Sequence, residues 1–229
     1  MNSEFSFQAF DPRYAVSVRR NRVRSGMDRV AMRAIDIMLA TVALLFLLPL
    51  MLIVAVAVFV SDPGPIFFVQ NRIGRHGKIF RCLKFRTMAT NAEERLAELL
   101  ANDPSAREEW MRDHKLRNDP RIVGIGSFLR KSSFDELPQL INVLRGEMSL
   151  VGPRPIVHAE AARYGRYFEH YCSVRPGITG LWQISGRNDT TYRRRVAFDV
   201  AYSRSQSTFL DLRIIVMTVP SVLMAKGSY

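Results

Sequence analysis

Between Asp36 and Ser61 the chain has no charged residue, and Ile37 to Val60 is apolar apart from Thr41 and Pro49. No other feature limits the fold so strongly. Most of these residues are Leu, Ile, Val or Phe, and at roughly 0.3–0.6 kcal/mol each the run favours a bilayer by about 5–10 kcal/mol, an upper bound because off-centre positions count for less. A soluble core helix needs no such run. A secretory signal peptide fits poorly: the run is too long, it begins after more than thirty residues, and Ser61-Asp62-Pro63-Gly64-Pro65 is a poor cleavage site.

Charge and one proline bear on whether the run crosses or turns back. Arg13, Arg19, Arg20, Arg22, Arg24, Arg29 and Arg33 precede it; Arg72, Arg75, Lys78, Arg81, Lys84 and Arg86 follow it. Both flanks read as cytoplasmic, and a crossing helix sets one of them against the bias that keeps basic residues inside. A re-entrant hairpin avoids that conflict. Pro49, at mid-run, deletes a helical hydrogen bond and predicts a kink. Each half, at about 1.5 Å per residue, reaches about 18 Å, short of the roughly 30 Å hydrocarbon core. A spanning helix remains the alternative, because prolines occur in such helices too.

The remainder reads as an α+β, mainly helical domain. The predicted organisation is a basic segment over 1–33, a membrane segment over 34–61 and a catalytic domain over 62–229. Ile66–Gln70 and Lys78–Phe85 have the composition of strands around a Gly-containing turn, which predicts a β-hairpin. Helical spacing predicts helices over 91–101, 105–116, 133–144, 157–171, 190–204 and 208–224. The last of these packs in a core or lies on the membrane. Cys82 and Cys172 are far apart, in no metal-type spacing, and predict neither a disulfide framework nor a zinc site.

The formal net charge is +12, nearly all of the surplus from arginine. It implies an anionic partner: nucleic acid, acidic lipid or a phosphorylated substrate. A membrane-anchored nucleic-acid-binding or regulatory protein is one reading. Against it, the arginines are dispersed and no helix-turn-helix or aromatic-basic RNA motif appears.

Chemistry concentrates between Arg130 and Pro155. Asp135 and Glu136 stand adjacent at an expected helix start. Ser133-Phe134-Asp135-Glu136 has the form of a capping box, in which the acids only serve the helix end. Pro138 argues for a start nearer Asp135, which sets both carboxylates beside free backbone N–H groups whose dipoles keep an aspartate ionised. Arg130 and Lys131 lie close by as phosphate ligands.

Ser133–Leu140, Asn142–Ser149 and Val151–Pro155 together closely resemble the bacterial sugar transferases known as monotopic phosphoglycosyl transferases. Further matches are Phe68–Arg72, Lys84–Met88, Asn118–Arg121, Val174–Gly180 and Ser185–Asn188, in matching order from about Arg33 to Met224. The resemblance implies transfer of a sugar 1-phosphate, with galactose or glucose favoured, from a UDP-sugar to undecaprenyl phosphate. The expected location is the cytoplasmic face of the bacterial inner membrane, at the first step of an exopolysaccharide. It also implies a re-entrant, monotopic helix and amphipathic interfacial helices. By the family pattern Asp135 is the nucleophile, forming a covalent phosphosugar intermediate, and Glu136 binds Mg²⁺. Lys84, Arg86, Arg130, Pro153, Arg154, Pro155, Arg175, Arg187 and Asp199 fall at substrate-binding positions. The implied partners are the UDP-sugar, undecaprenyl phosphate and inner-membrane phospholipids, with a second copy and downstream glycosyltransferases as further candidates and no nucleic acid. One departure is that this chain has Leu48-Pro49 where the family often has Ser-Pro.

Overall fold

In the computed structural model the apolar run forms most of one helix, α1 (Gly26–Ser61), which continues through Pro49. The structure describes residues 26–113, 116, 119–122, 124–185 and 191–223. α1 begins well before residue 34, so Arg29 and Arg33 of the expected basic segment belong to its first turns. The residues on either side of Pro49 are one helical element rather than the two halves expected from the break; losing one hydrogen bond to proline does not by itself end a long helix.

A single stripe of α1 faces protein. Met32, Asp36, Ala40, Met51, Val54 and Val58 are buried at helical spacing, while Ile37, Met38, Val42, Leu45, Phe46, Leu52, Ile53, Val56 and Phe59 are exposed. Only 17% of the most apolar stretch is buried. A soluble core helix would bury most of that stretch, so the exposed face needs an apolar solvent. Both ends are fastened to the same folded body. Near the first end, Arg33 Nη2 donates to the Leu144 carbonyl (3.1 Å), and Asp36 Oδ1 accepts from Ser149 Oγ and the Leu150 N–H (3.0 Å each). At the other, Asp62 Oδ2 accepts from Arg86 Nη1 (2.8 Å) and the Thr90 N–H (2.9 Å). In between, Ala40 packs with Phe80, Leu140, Val143 and Met148, and Met51, Val54 and Val58 pack with Phe85 and Leu129.

That body is α+β and mainly helical. Strands β1 (Phe67–Ile73) and β2 (Ile79–Phe85) form the expected antiparallel hairpin, with Phe67 opposite Phe85 and Ile73 opposite Ile79. β1 runs further than Gln70, leaving a tight turn at 74–78. Helices α2 (Ala92–Asn102) and α3 (Pro104–Asp113) follow as a pair divided at Asp103. Then come α4 (Gly126–Ser132) and α5 (Gln139–Leu144).

A second, parallel pair joins β3 (Ser149–Val151) to β4 (Gly177–Thr179). Helices α6 (His158–Tyr164) and α7 (Phe168–Cys172) lie between them in sequence. This pair was not legible in advance, because three residues are too few for a period-2 pattern. Its strands approach so closely that a Cβ on Gly177 would collide with the Gly152 backbone, and one on Gly180 with the Gly152 carbonyl. Glycine is required there by contact between backbones.

Helices α8 (Leu181–Ile184), α9 (Tyr192–Ser205) and α10 (Thr208–Leu223) complete the body. One core cluster gathers Val151, Val174, Trp182, Phe198, Tyr202, Leu210 and Ile214. α10 thus buries Leu210 and Ile214 but exposes Phe209, Leu212 and Val216, so it serves both the core and an outer apolar face. Cys82 and Cys172 are free thiols.

Candidate active site

The adjacent carboxylates sit in a short 3-10 turn, Phe134–Glu136, between α4 and α5. Ser133 ends α4 in the left-handed conformation (φ 60, ψ 17) and makes no side-chain cap, so the capping-box reading of Ser133 to Glu136 does not hold. The left-handed residue costs about 1–2 kcal/mol and turns the chain sharply, presenting Asp135 and Glu136 towards the hairpin. Pro138 precedes the first residue of α5, where a fixed φ costs nothing.

The hairpin supplies the opposite wall. Alternation sets Phe80, Cys82 and Lys84 on one face of β2, and register pairs Arg72 with Phe80 across the ladder. Lys84 Nζ reaches Glu136 Oε1 at 2.6 Å and Asp135 Oδ2 at 3.4 Å, bridging the two carboxylates. Arg154 Nη2 stands 3.7 Å from Glu136 Oε1. Arg72 Nη1 donates to the Pro155 carbonyl (2.9 Å) and Nη2 to Gln70 Oε1 (2.5 Å). Arg72, Lys84 and Arg154 line one recess with Glu136, Gln139, Pro155 and Gln183. Three cations against one lining carboxylate suit a polyanionic ligand such as a diphosphate.

The electrostatics separate the two acids. Burial acts to raise the Glu136 carboxyl, but Lys84 and Arg154 overcome it and hold it down at about 2. Asp135 is shifted upward, chiefly by burial and then by the Glu136 charge, with Lys84 acting against both. α5, the helix expected to begin beside Asp135, starts four residues later at Gln139, and Lys84 is the cation that touches the carboxylate. Arg130 lies on the Asp135 side, its Nε donating to Thr87 Oγ1 (2.9 Å).

Other expected site residues lie elsewhere. Arg86 donates to the Asp62 side chain and backbone carbonyl, which anchors the end of α1. Arg175 Nε donates to the Gly146 carbonyl (2.9 Å) on the α1 side. Asp199 is 3% exposed, accepts from the Tyr164 hydroxyl (2.7 Å) and does not line the recess. Pro153 is buried beside the β3–β4 pair, its carbonyl accepting from the Gly177 N–H (2.8 Å), and Arg187 lies outside the described residues. Arg86 and Arg175 carry the right charge for phosphate, but their bonds to Asp62 and Gly146 tie parts of the fold together away from the recess.

Asn142 was missed. It is fully buried in α5, donates through Nδ2 to the Arg81 carbonyl (2.8 Å) and to Glu147 Oε2 (2.6 Å), and accepts the Leu83 N–H through Oδ1 (3.0 Å). It thereby pairs with the β2 edge like a missing strand and sets Lys84 against Glu136. A polar residue amid the apolar spacing of α5 was the available signal.

No cluster of three or more His, Cys, Asp or Glu side chains is present among the described residues, so a fully protein-ligated metal is not supported there. One ionised carboxylate beside a recess lined by three cations does fit Mg²⁺, which takes most of its ligands from water and substrate oxygens.

The model of the family described as bacterial sugar transferase matches residues 27–225. The exopolysaccharide production protein ExoY of Sinorhizobium fredii is 50% identical over 200 residues, 87% of this chain and 88% of that protein. Undecaprenyl-phosphate galactose phosphotransferase of Salmonella typhimurium is 48% identical over 210 residues, covering 92% of this chain and 44% of that one. UDP-glucose:undecaprenyl-phosphate glucose-1-phosphate transferase of Escherichia coli is 40% identical over 213 residues, 90% of this chain and 43% of that one.

Proposed function

The chain belongs to the bacterial sugar transferase family, and from that premise we propose that it transfers a hexose 1-phosphate from a UDP-sugar to undecaprenyl phosphate, at the first membrane step of an exopolysaccharide. The observation that carries this reading is one lysine bridging two adjacent carboxylates at a recess that Arg72 and Arg154 also line. A nucleic-acid-binding function has no comparable support.

An Asp135 oxygen attacks the phosphorus next to the sugar. The bond from that phosphorus to the bridging oxygen breaks, and UMP leaves with the electron pair. An oxygen of undecaprenyl phosphate then attacks the same phosphorus, the aspartyl–phosphorus bond breaks, and the carboxylate is restored. Diphosphate oxygens repel an attacking anion, so Arg72, Lys84 and Arg154 must neutralise them first. Lys84 is poised to serve both states: it screens Asp135 from Glu136 without ligand and can turn to phosphate oxygens when they enter. Glu136 would hold Mg²⁺, which supplies charge neutralisation to the diphosphate when bound.

We assign the body to the cytoplasmic face, with α1 dipping into the membrane from that side. Its support is the fastening of Arg33, Asp36 and Asp62 to one folded body, together with the basic flanks. Two ends tied to one body share a side of the bilayer, and the acceptor's phosphate then meets Asp135 at headgroup depth. A spanning helix would put one tie across about 30 Å of hydrocarbon.

The test uses purified protein, Mg²⁺ and UDP-glucose or UDP-galactose labelled in the hexose. With donor alone, label is expected on the wild-type chain and none on Asp135→Asn, and adding undecaprenyl phosphate should move it to the lipid. Product formation by Asp135→Asn at the wild-type rate would overturn the assignment.

A further inference from the structure

We propose that Glu160 is a positioning residue for the sugar-nucleotide donor: from outside the recess and behind Arg72, its carboxylate holds that guanidinium where the donor's diphosphate meets it. This rests on the function proposed above for the recess. Glu160 lies in the first turn of α6, Arg72 on β1 and Arg195 on α9, so the three side chains come together from separate elements. Glu160 Oε2 stands 3.7 Å from Arg72 Nη1, and Oε1 stands 3.6 Å from Arg195 Nη1. One carboxylate thus separates two guanidinium groups. Arg72 lines the recess, whereas Glu160 and Arg195 do not.

At these separations the contacts are ion pairs rather than hydrogen bonds, so what Glu160 supplies is charge. Arg72 has a use for it. Its guanidinium is pushed down by burial and then by Arg154, the other arginine of the recess, and Glu160 acts in the opposite sense. The Pro155 carbonyl and Gln70 Oε1 orient Arg72 but are neutral acceptors. Behind the carboxylate, Arg195 is packed against the Trp182 and Tyr192 rings, 5.1 and 5.3 Å from their centroids. Glu160 is itself held, because Oε2 accepts the Val157 N–H at 3.1 Å. Without its charge, Arg72 would have like charges on two sides, Arg154 and Arg195, and would be displaced from the orientation it keeps.

The consequence falls on binding more than on the chemical step. A bound diphosphate supplies the missing anion and draws Arg72 back, so a chain without the Glu160 charge uses part of the donor's binding energy for that ordering. Saturating donor restores the site, which places the effect in KM.

The experiment measures turnover of hexose-labelled UDP-sugar by the full chain with Mg²⁺ and undecaprenyl phosphate in neutral-lipid nanodiscs, for wild type, Glu160→Gln, Arg72→Gln and the double variant. Glutamine keeps an acceptor for the Val157 N–H and removes the charge. Glu160→Gln should raise the donor KM about tenfold with kcat within about twofold of wild type. In the Arg72→Gln background the same change should alter kcat/KM by less than about twofold, because the group it acts through is gone. A lower folded fraction reduces apparent kcat and leaves KM alone, so lost stability does not imitate this result. Glu160→Asp, with its charge on a shorter stem, should raise KM about threefold and closes the same cycle if the glutamine variant does not fold. An unchanged donor KM, or a rise that persists in the Arg72→Gln background, overturns the inference while wild-type turnover leaves the catalytic reading standing. No turnover by the wild type overturns both.

Discussion

Lys84 is the residue on which the proposed chemistry turns, because it touches both carboxylates and also lines the recess with Arg72 and Arg154. Lys84→Gln should lower kcat/KM by about 10²–10³, the scale for removing one preorganised charge-stabilising donor, with the fold intact by circular dichroism. Asp199 makes a different prediction. Burial pushes its carboxyl up to about 7, against the Tyr164 hydroxyl and Arg195. A carboxyl raised in the folded state contributes stability that is fully present below its unfolded value near 4 and is lost as pH rises through about 7. Asp199→Asn keeps an acceptor for Tyr164 and should flatten the fall in thermal midpoint between pH 5 and pH 8. A wild-type slope retained in that variant would assign the pH dependence to another group.

At the scale of elements, the site depends on a join between a helix and a strand edge. Asn142 satisfies the Arg81 carbonyl and the Leu83 N–H, groups that a further strand would otherwise take. Asn142→Leu keeps the branched heavy-atom shape but leaves both unpaired and buried. It should cost about 2–4 kcal/mol, measured by chemical denaturation, and should lower activity beyond the loss of folded protein by letting Lys84 drift from Glu136. The hairpin was legible because two runs of strand-forming residues flank a Gly-containing turn. The turn at Ser133 was not: a serine three residues before a glutamate is an N-cap signature, whereas in the fold Ser133 is a left-handed C-cap of α4.

For the whole molecule, the arrangement of α1 decides where catalysis can happen. Single cysteines introduced at Ala31 and His76 in a chain lacking Cys82 and Cys172 should both react with an impermeant maleimide from the cytoplasmic side of inverted vesicles. Labelling from opposite sides would require a crossing helix. The two apolar surfaces, α1 and the outer face of α10 with Phe209, Leu212 and Val216, offer more than one contact with a bilayer.

The membrane segment, the hairpin and the acidic pair could be read from residue order alone, because uninterrupted apolarity, strand-forming runs about a glycine turn and adjacent acids are local patterns. Which arginines face the recess could not. Arg154 stands beside Glu136, whereas Arg86 and Arg175 of equal charge are tied to Asp62 and Gly146. A guanidinium on a flexible stem pairs with whatever acceptor tertiary packing brings within about 3 Å. Composition alone does not encode that choice, and it is the folded arrangement that divides the cations lining the recess from those that tie elements together.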